Sequence, residues 1–298
     1  MTRVRRVLAP NPGPFTLEGT NTWVIGDRPS IVIDPGPDDP GHLLSVVDEG
    51  EPVGAILLTH RHPDHAPGAA RLAEATAAPV YAFRPEGDER PIRHNQVLEV
   101  GGASVRAVHT PGHTADHLAF FLEEDRALFT GDAVLGRGTS VVDPPDGDMI
   151  AYLHSLNEMR GLGPRTIYPG HGPAVFDAVA KLDQYAAHRL RREEQVIEAL
   201  AGGKGTAAEM VPGIYGEEVP GPMQPVAARS VLAHLLKLER EGKVARSGAV
   251  DHFVLVEQKP CARCGRLAAP RSRYCRQCSM DMLQEGPRRG EETGPAVR

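Results

Sequence analysis

The stretch "LLTHRHPDHAPG" at residues 57–68 places four potential metal ligands within six positions. They are His60, His62, Asp64 and His65. The preceding apolar run, "GAILLT", predicts a strand that ends in a turn, where alternate histidines can point to the same side. Imidazole and carboxylate groups are the ligands that zinc takes at catalytic sites. An exposed polar loop is the alternative, but four ligands at this spacing favour a metal site.

Three more candidate ligands follow later predicted strands, each beside a glycine. "SVRAVHTPGHT" presents His113, "RALFTGD" ends at Asp132, and "RTIYPGHG" ends at His171. Because side chains at the ends of neighbouring strands meet at one edge of a sheet, these three can converge with the first four. Five histidines and two aspartates are enough ligands for two metal ions.

This set of residues resembles the ligand set of the metallo-β-lactamase superfamily, and the similarity covers about residues 10–200. The resemblance implies an α/β fold, a four-layer αββα sandwich, with two zinc ions at the active site. It also implies two groups of three ligands and one bridging ligand. These are His60, His62 and His113; Asp64, His65 and His171; and the bridging Asp132.

The resemblance also implies a mechanism of hydrolysis. Two zinc ions carry more positive charge than two carboxylates cancel, and the surplus lowers the pKa of a bridging water. A metal-bridging hydroxide can then attack an electrophile near neutral pH, and the remaining charge stabilises the developing oxyanion. Asp64 is the predicted catalytic residue, because a carboxylate bound through one oxygen can orient the hydroxide and pass on its proton.

The ligand set alone does not select the electrophile. Within the superfamily, the chain is most similar to the lactamase-beta-like protein 2 group, through "GTNTWVIG", "GDAVLGRGTS" and "IYPGHGPAV". That similarity implies an endoribonuclease or phosphodiesterase acting on single-stranded RNA as the leading hypothesis. One alternative is a thioesterase of the hydroxyacylglutathione hydrolase or acyl-carrier type, since fungal relatives release polyketides from a carrier protein. The other is a non-enzymatic nucleic-acid-binding regulator.

Three residues are candidates for substrate contact. Arg137 and Thr139 follow the bridging aspartate within "LGRGTS", so both could reach an anionic substrate beside the metals. A solvated loop residue is an equal interpretation of Arg137. Asn21 lies in the Gly-flanked turn "GTNT" and is predicted to line the pocket, unless its side chain only forms the turn.

The chain changes character at "AGGKGT", residues 201–206. Two or three helices and a hairpin at 243–257 then predict a winged-helix-like module. Its best candidate for a recognition helix, "PVAARSVLAHLLKLEREGK", mixes Arg and Lys with Glu239 and Glu241, which is a poor basic face for reading a duplex. We therefore favour a role as a lid or as an interface, including contact between two copies in a homodimer.

The four cysteines form a further unit, with the spacing Cys261-x2-Cys264-x10-Cys275-x2-Cys278. Two Cys-x-x-Cys pairs predict a zinc ribbon that binds one structural zinc ion, with a redox dithiol as the alternative. Arginines interleave with Tyr274 in this segment, and such a basic surface could bind single-stranded nucleic acid. The family resemblance does not extend to this unit.

The predicted domains are a hydrolase domain at 1–200, a winged-helix-like domain at 201–257, a zinc ribbon at 258–280 and a disordered tail at 281–298. The formal net charge is −6, but residues 259–298 alone carry +5, which indicates a localised anionic partner or only a solvated tail. The chain contains no apolar run as long as a membrane span, and "MTRVRRVLAPNPGPF" lacks the apolar region of a signal peptide. We therefore expect a cytoplasmic protein without a membrane partner.

Overall fold

The computed structural model describes residues 2–216, 219–248, 251–256, 262–264, 277 and 280. Two β-sheets face each other in the first part of this chain, and helices cover the outer face of each sheet. A smaller helical unit with a β-hairpin follows. The two sheets together position the predicted ligands.

The first sheet contains six strands in the order β1-β2-β3-β4-β5-β6. The strands β1 to β3 are antiparallel, and the pairs from β3 to β6 are parallel. Helices α1 and α2 connect the parallel strands. The bounds are β1 Val4–Leu8, β2 Asn21–Ile25, β3 Ser30–Ile33, α1 Pro40–Gly50, β4 Val53–Leu57, α2 Gly68–Thr76, β5 Val80–Ala82 and β6 Arg90–Pro91.

The second sheet contains five strands in the order β11-β10-β9-β8-β7. Its pairs are antiparallel except for β10 with β11, which is parallel and needs the helical crossover α3. The long helix α4 follows β11. The bounds are β7 Val97–Val100, β8 Ala103–His109, β9 Leu118–Leu122, β10 Ala127–Gly131, α3 Met149–Gly161, β11 Thr166–Pro169 and α4 Ala178–Ala201.

Alternating side chains of the strands separate the core into layers. Phe120 and Phe129 face inwards and pack with Ile33 of the first sheet. Their neighbours Phe121 and Leu128 face outwards and pack against α3 and α4. Because successive strand residues point to opposite faces, each strand supplies both layers of apolar contact. The predicted four-layer αββα sandwich is thereby confirmed.

The smaller unit consists of α5, α6 and a hairpin, and it shares helix α4 with the sandwich. Its core contains Val196 and Leu200 of α4 together with Val231, Leu235 and Phe253. Since α4 contributes to both cores, the sandwich and the smaller unit are joined by a packed helix. The bounds are α5 Ala207–Tyr215, α6 Gln224–Arg240, β12 Val244–Arg246 and β13 Phe253–Leu255.

The predicted zinc ribbon and tail lie outside the described residues, apart from 262–264, 277 and 280. Cys264 is exposed, and the other three cysteines of the predicted zinc site lie outside the described part of the chain. No helix among the described residues is both long enough and apolar enough to cross a bilayer.

Candidate metal centre

The first four predicted ligands lie in the turn between β4 and α2. His60 and His65 are buried, whereas His62 and Asp64 are half-buried. The backbone amides of His65 and Ala66 both donate to the His62 carbonyl, at 3.0 and 3.2 Å, and close the turn. The buried strand therefore delivers two pairs of ligands to one edge of the first sheet.

The other three predicted ligands follow strands of the second sheet. Two of them are each preceded by a glycine, which allows the backbone there to come close to the other residues of the centre. Gly131 precedes Asp132 with φ +44°, and a Cβ there would lie 2.5 Å from the Thr59 hydroxyl oxygen. A Cβ at Gly170, which precedes His171, would lie 2.6 Å from Asp132 Oδ1. Any side chain at either glycine would displace the centre, so these positions require glycine.

All seven predicted ligands come together in two adjoining groups. Within each group, the candidate donor atoms lie within 4.8 Å of one another. The groups are His60, His62, His113 and Asp132, and Asp64, His65 and His171. Asp132 lies between the groups: its Oδ1 is 3.4 Å from His65 Nε2 and 3.3 Å from His171 Nε2, and its Oδ2 is 3.8 Å from His113 Nε2.

The histidine rings are held with one nitrogen turned into the centre. In four rings the Nδ1–H has an acceptor outside the ligand set, at 2.7 to 3.2 Å, which leaves the Nε2 lone pair facing inwards. These pairs are His60 with the Thr59 hydroxyl, His65 with Asp34, His113 with the Val141 carbonyl and His171 with the Gly19 carbonyl. Hydrogen bonds of this kind fix the tautomer that binds a metal.

The inward-facing imidazole nitrogens are better suited to bind metal cations than to hydrogen-bond with one another. His60 Nε2 is buried without a hydrogen-bond partner. His65 Nε2 faces His171 Nε2 at 3.3 Å, and His113 Nε2 faces His62 Nδ1 at 3.1 Å. At most one proton can lie between two such nitrogens, so a cation among the rings would satisfy lone pairs that otherwise oppose each other. The residues present therefore fit the metal ions that the family resemblance implies.

The charges of the site favour a cation as well. Burial lowers the pKa of His60 well below its usual range and keeps that ring neutral. Burial also lowers the pKa of His171, but hydrogen bonds to Asp132 and Asp64 outweigh it and raise the value to about 9. Burial raises the pKa of Asp64, yet hydrogen bonds from His171 and His65 hold it below its ordinary value. The carboxylates thus stay ionised and attract positive charge.

Asp34 hydrogen-bonds to residues of the centre on the side away from the cavity, and the sequence analysis did not identify it. It lies at the end of β3 with φ +49° and is buried. Its carboxylate accepts from the Thr59 amide and hydroxyl, each at 2.7 Å, and from His65 Nδ1 at 2.9 Å. The signal that could have revealed it is "IDPG", an acidic residue directly after an apolar strand that ends at the same sheet edge.

Hydrogen bonds also hold the two aspartates. The Thr20 hydroxyl donates to Asp64 Oδ2 at 3.2 Å, and the Asn11 amide donates to the Thr20 hydroxyl at 2.9 Å. His117 Nε2 accepts from the backbone amide of Asp132 at 3.2 Å, so this histidine supports the centre without joining the two groups.

A cavity of about 570 Å³ opens over the centre, and two of the three predicted substrate contacts line it. These are Arg137, which forms an ion pair with Glu18, and Thr139. Asn21, the third, does not line the cavity. This residue is buried outside the cavity, because its amide donates to the Pro169 and Gly172 carbonyls at 2.9 and 2.8 Å and anchors the turn that carries His171.

The rim of the cavity contains apolar residues that sequence reasoning did not identify. Pro14, Phe15 and Leu17 come from the turn before β2, and Met223 and Val226 come from the beginning of α6. The sandwich and the winged-helix-like unit therefore share one cavity. Isolated apolar residues in a turn and at a helix start carry no signal of such a role in the sequence.

Comparison with known proteins identifies both parts of the chain. The model of the "Metallo-beta-lactamase superfamily" matches residues 15–97 and 81–171. The model of the "Beta-lactamase associated winged helix domain" matches residues 206–251. These matches cover the sandwich that carries the seven residues and the unit that contains α5 and α6.

Individual relatives match over most of their length. An atrochrysone carboxyl ACP thioesterase of Aspergillus chevalieri is 42% identical over 273 residues, covering 85% of this chain and 87% of the relative. A beta-lactamase-like protein 2 homolog of Drosophila melanogaster is 35% identical over 284 residues, covering 87% of this chain and 95% of the relative. The crystal structure of a metallo-beta-lactamase family protein of Thermus thermophilus matches with a TM-score of 0.72 and 25% identity, covering 85% of this chain and 98% of that protein. The chain therefore belongs to the metallo-β-lactamase superfamily and is a hydrolase of that family with a C-terminal winged-helix domain.

Proposed function

We propose that this enzyme is a metal-dependent thioesterase, which hydrolyses an acyl thioester to a carboxylic acid and a thiol. The observation that carries the proposal is the composition of the cavity over the centre. One side of its rim is apolar, and among the described lining residues the only lysine or arginine, Arg137, is paired with Glu18. Such a cavity suits an uncharged acyl group better than a polyanion. The 42% identity to a chain named as an ACP thioesterase supports the same activity.

RNA was the leading substrate hypothesis from the sequence. The charges of helix α6, however, also favour a thioester. Arg229 is paired with Asp143 and Arg240 with Asp148, both at 2.5 Å, and Lys237 with Glu193 at 2.7 Å. Binding of RNA phosphates draws its affinity from cations that are free to replace counterions. On α6 these cations would first have to leave their carboxylate partners.

We propose that the seven residues at the two adjoining groups hold two metal ions, with zinc as the predicted metal. One group would be His60, His62 and His113, the other Asp64, His65 and His171, and Asp132 would contact both. When bound, such ions lower the pKa of water into the neutral range and stabilise an oxyanion. The protein supplies imidazole nitrogens and ionised carboxylates in fixed positions.

The residues around the centre then orient the reacting groups. Water adds to the thioester carbonyl carbon, a carbon–oxygen bond forms, and the carbon–sulfur bond breaks. Asp64 would accept the proton of the water at its carboxylate, and the proton would pass to the departing sulfur, which leaves as a thiol. The Thr20 hydroxyl, 3.2 Å from Asp64 Oδ2, fixes the orientation of that carboxylate. The reaction consumes one water and no oxidant or reductant.

The test is a pair of assays on the purified, zinc-loaded full chain, one with an acyl thioester of N-acetylcysteamine and one with single-stranded RNA. An Asp64→Ala/His65→Ala variant removes two proposed ligands. Asp38→Ala is the matched control, because Asp38 is an exposed aspartate that pairs only with Arg71 in the described structure. We expect thioester turnover that is lost in the double variant and kept in the control.

Other outcomes of the same assays contradict the proposal. RNA cleavage that disappears in the double variant, without thioester turnover in the wild type, would identify a ribonuclease. Tight RNA binding with neither activity would favour the nucleic-acid-binding regulator.

A further inference from the structure

We infer that the cavity over the metal centre selects an uncharged, bulky apolar acyl group, and that the winged-helix domain forms part of its binding site. This inference rests on the proposed thioesterase activity and names its substrate class. The acyl wall comprises five apolar residues of the cavity. They are Phe15, Leu17, Leu135, Met223 and Val226.

The size of the cavity argues for a substrate larger than a short acyl chain. Its volume of about 570 Å³ lies within the range of small-molecule sites, which bury most of a ligand of several rings. Phe15 is 54% exposed although it lines this cavity, so apolar surface is available for contact with a ligand. Covering such surface favours binding roughly in proportion to the apolar area buried.

The turn that carries Phe15 and Leu17 is held in a strained conformation. Leu17 has φ +56°, a left-handed conformation that a residue with a Cβ adopts at a cost. Two backbone hydrogen bonds between Gly13 and Leu17, at 3.1 and 2.9 Å, keep it there. The Thr16 hydroxyl adds a hydrogen bond to the Asn11 carbonyl at 2.6 Å. Strain of this kind is typical of segments that contact ligands, because the surrounding structure must maintain it.

This turn is connected to the catalytic carboxylate. Asn11 Oδ1 accepts from the Thr20 amide, and Asn11 Nδ2 donates to the Thr20 hydroxyl, both at 2.9 Å. The same hydroxyl donates to Asp64. The acyl wall therefore has a fixed position relative to the reacting centre, as selection of an acyl group requires.

The other side of the wall is fixed by ion pairs between the two domains. Arg229 lies three residues after Val226, and its guanidinium donates to Asp143 Oδ1 at 2.5 Å and to the Pro144 carbonyl. Arg240 at the end of α6 pairs with Asp148 at 2.5 Å. Both contacts fasten α6 to the segment between β10 and α3, which also lines the cavity.

The charges of the cavity exclude an acyl group with an anionic far end. Asp146 lines it together with the ligand carboxylates, whereas the charges of Arg137 and Asp143 are already paired with Glu18 and Arg229. A second carboxylate at the far end of the substrate, away from the metal centre, would find no unpaired lysine or arginine among the described lining residues, and desolvating it without a partner is costly. The substrate class is therefore an aromatic or branched acyl thioester without a distal charge.

The test compares acetyl, hexanoyl, 2-naphthoyl and succinyl thioesters of N-acetylcysteamine on the zinc-loaded full chain. We expect kcat/KM to rise by about 30-fold or more from acetyl to naphthoyl, and succinyl to be the poorest. Val226→Asp and the milder Met223→Ala should lower the naphthoyl-to-acetyl ratio, by about 30-fold for the aspartate variant and several-fold for the alanine variant. Leu44→Ala is the control, since Leu44 is 62% exposed on α1 and does not line the cavity.

The outcomes separate this inference from the proposed function. Equal kcat/KM for acetyl and naphthoyl thioesters, or variants that leave their ratio unchanged, would overturn the acyl wall while leaving a thioesterase. Absence of turnover on every thioester in the wild type would overturn the proposed function, and this inference with it. Because the measured quantity is a ratio within one preparation, partial misfolding of a variant does not alter the conclusion.

Discussion

The proposed metal centre and the proposed acyl wall lie in the same cavity but are built in different ways. The seven predicted ligands follow strands by one to eight positions, and their side chains are buried or half-buried. The wall is assembled from a strained turn, a loop and the start of a helix in another domain, and much of it is half-exposed. On the proposed function, residues at the sheet edges set the reaction chemistry, whereas substrate choice depends on how the two domains pack.

The largest effect is expected from Asp132→Ala, because Asp132 lies between the two groups of ligands. Loss of one carboxylate should weaken both metal positions, and affinity should fall by more than the roughly 10–100-fold typical of residues that only support ligands. The loss of metal affinity is measured as metal content after dialysis, and its consequence is measured as thioester turnover. Asp183→Ala, which removes an exposed aspartate paired with Arg160, should change neither. Retention of two metals by the Asp132 variant would contradict the bridging role.

A smaller effect is expected from Asp34→Asn, which keeps the size of the side chain but removes its charge. Asp34 accepts three hydrogen bonds that orient His65 and the Thr59 backbone. Metal affinity should fall by about 10–100-fold. Competition with a chelator measures this, and Asp38→Asn is the matched exposed control. Equal affinities of wild type and Asp34→Asn would show that the centre does not depend on this support.

Away from the cavity, Glu193→Gln tests how firmly the winged-helix domain is joined to α4. Glu193 is buried and contacts Lys237 Nζ at 2.7 Å. Removing its charge should lower the free energy of unfolding by about 2 kcal/mol at neutral pH. Urea denaturation measures the change, and Glu194→Gln on the same helix is the control. An unchanged free energy of unfolding would show that the pair does not hold the domains together.

The same variant gives a pH dependence with a defined sign. Burial raises the pKa of Glu193, but the neighbouring His234 and the hydrogen bond from the Lys237 ammonium outweigh it and lower the value to about 2, from an ordinary 4.5. The stabilisation is therefore fully present above the ordinary value and is lost as the pH falls towards 2. The difference in unfolding free energy between wild type and Glu193→Gln should shrink over that interval. A difference that stays constant would contradict the assigned charge.

The smallest effect is expected at the rim, where Arg137 pairs with Glu18. Both side chains are more than half exposed, so solvent screens their attraction. A double-mutant cycle with Arg137→Ala and Glu18→Ala should give a coupling below about 1 kcal/mol in thermal unfolding. A coupling of several kcal/mol would show that the rim is held as firmly as the centre, which would contradict the difference proposed between the two regions.

The convergence of the seven residues was predictable from sequence because each of them is tied to local signals. A strand pattern, a glycine and a ligand recur together before Asp132 and His171, and the sheet topology then brings their ends to one place. Most predicted strands are present for the same reason. Strand β1 was not predicted, because "VRRVL" carries two arginines and becomes a strand only by pairing with β2. Helix α1 was not predicted either, because it begins at Pro40-Gly41, residues that indicate a turn.

The wall was not predictable because it depends on contacts that are remote in sequence. Nothing near Val226 indicates that ion pairs from Arg229 and Arg240 fasten its helix over the sandwich. Asn21 was assigned to the pocket because a polar residue in a Gly-flanked turn resembles a ligand contact. Its amide nitrogen instead donates to two carbonyls of the His171 turn, which lies far away in the chain.

The most direct test of the account is anomalous X-ray diffraction from crystals of the zinc-loaded protein, measured on both sides of the zinc absorption edge. We predict two anomalous peaks at the sheet edge, one beside His60, His62 and His113 and the other beside Asp64, His65 and His171. Both peaks should lie next to Asp132. A single peak, or zinc bound away from these residues, would contradict the dinuclear centre on which the proposed hydrolysis depends.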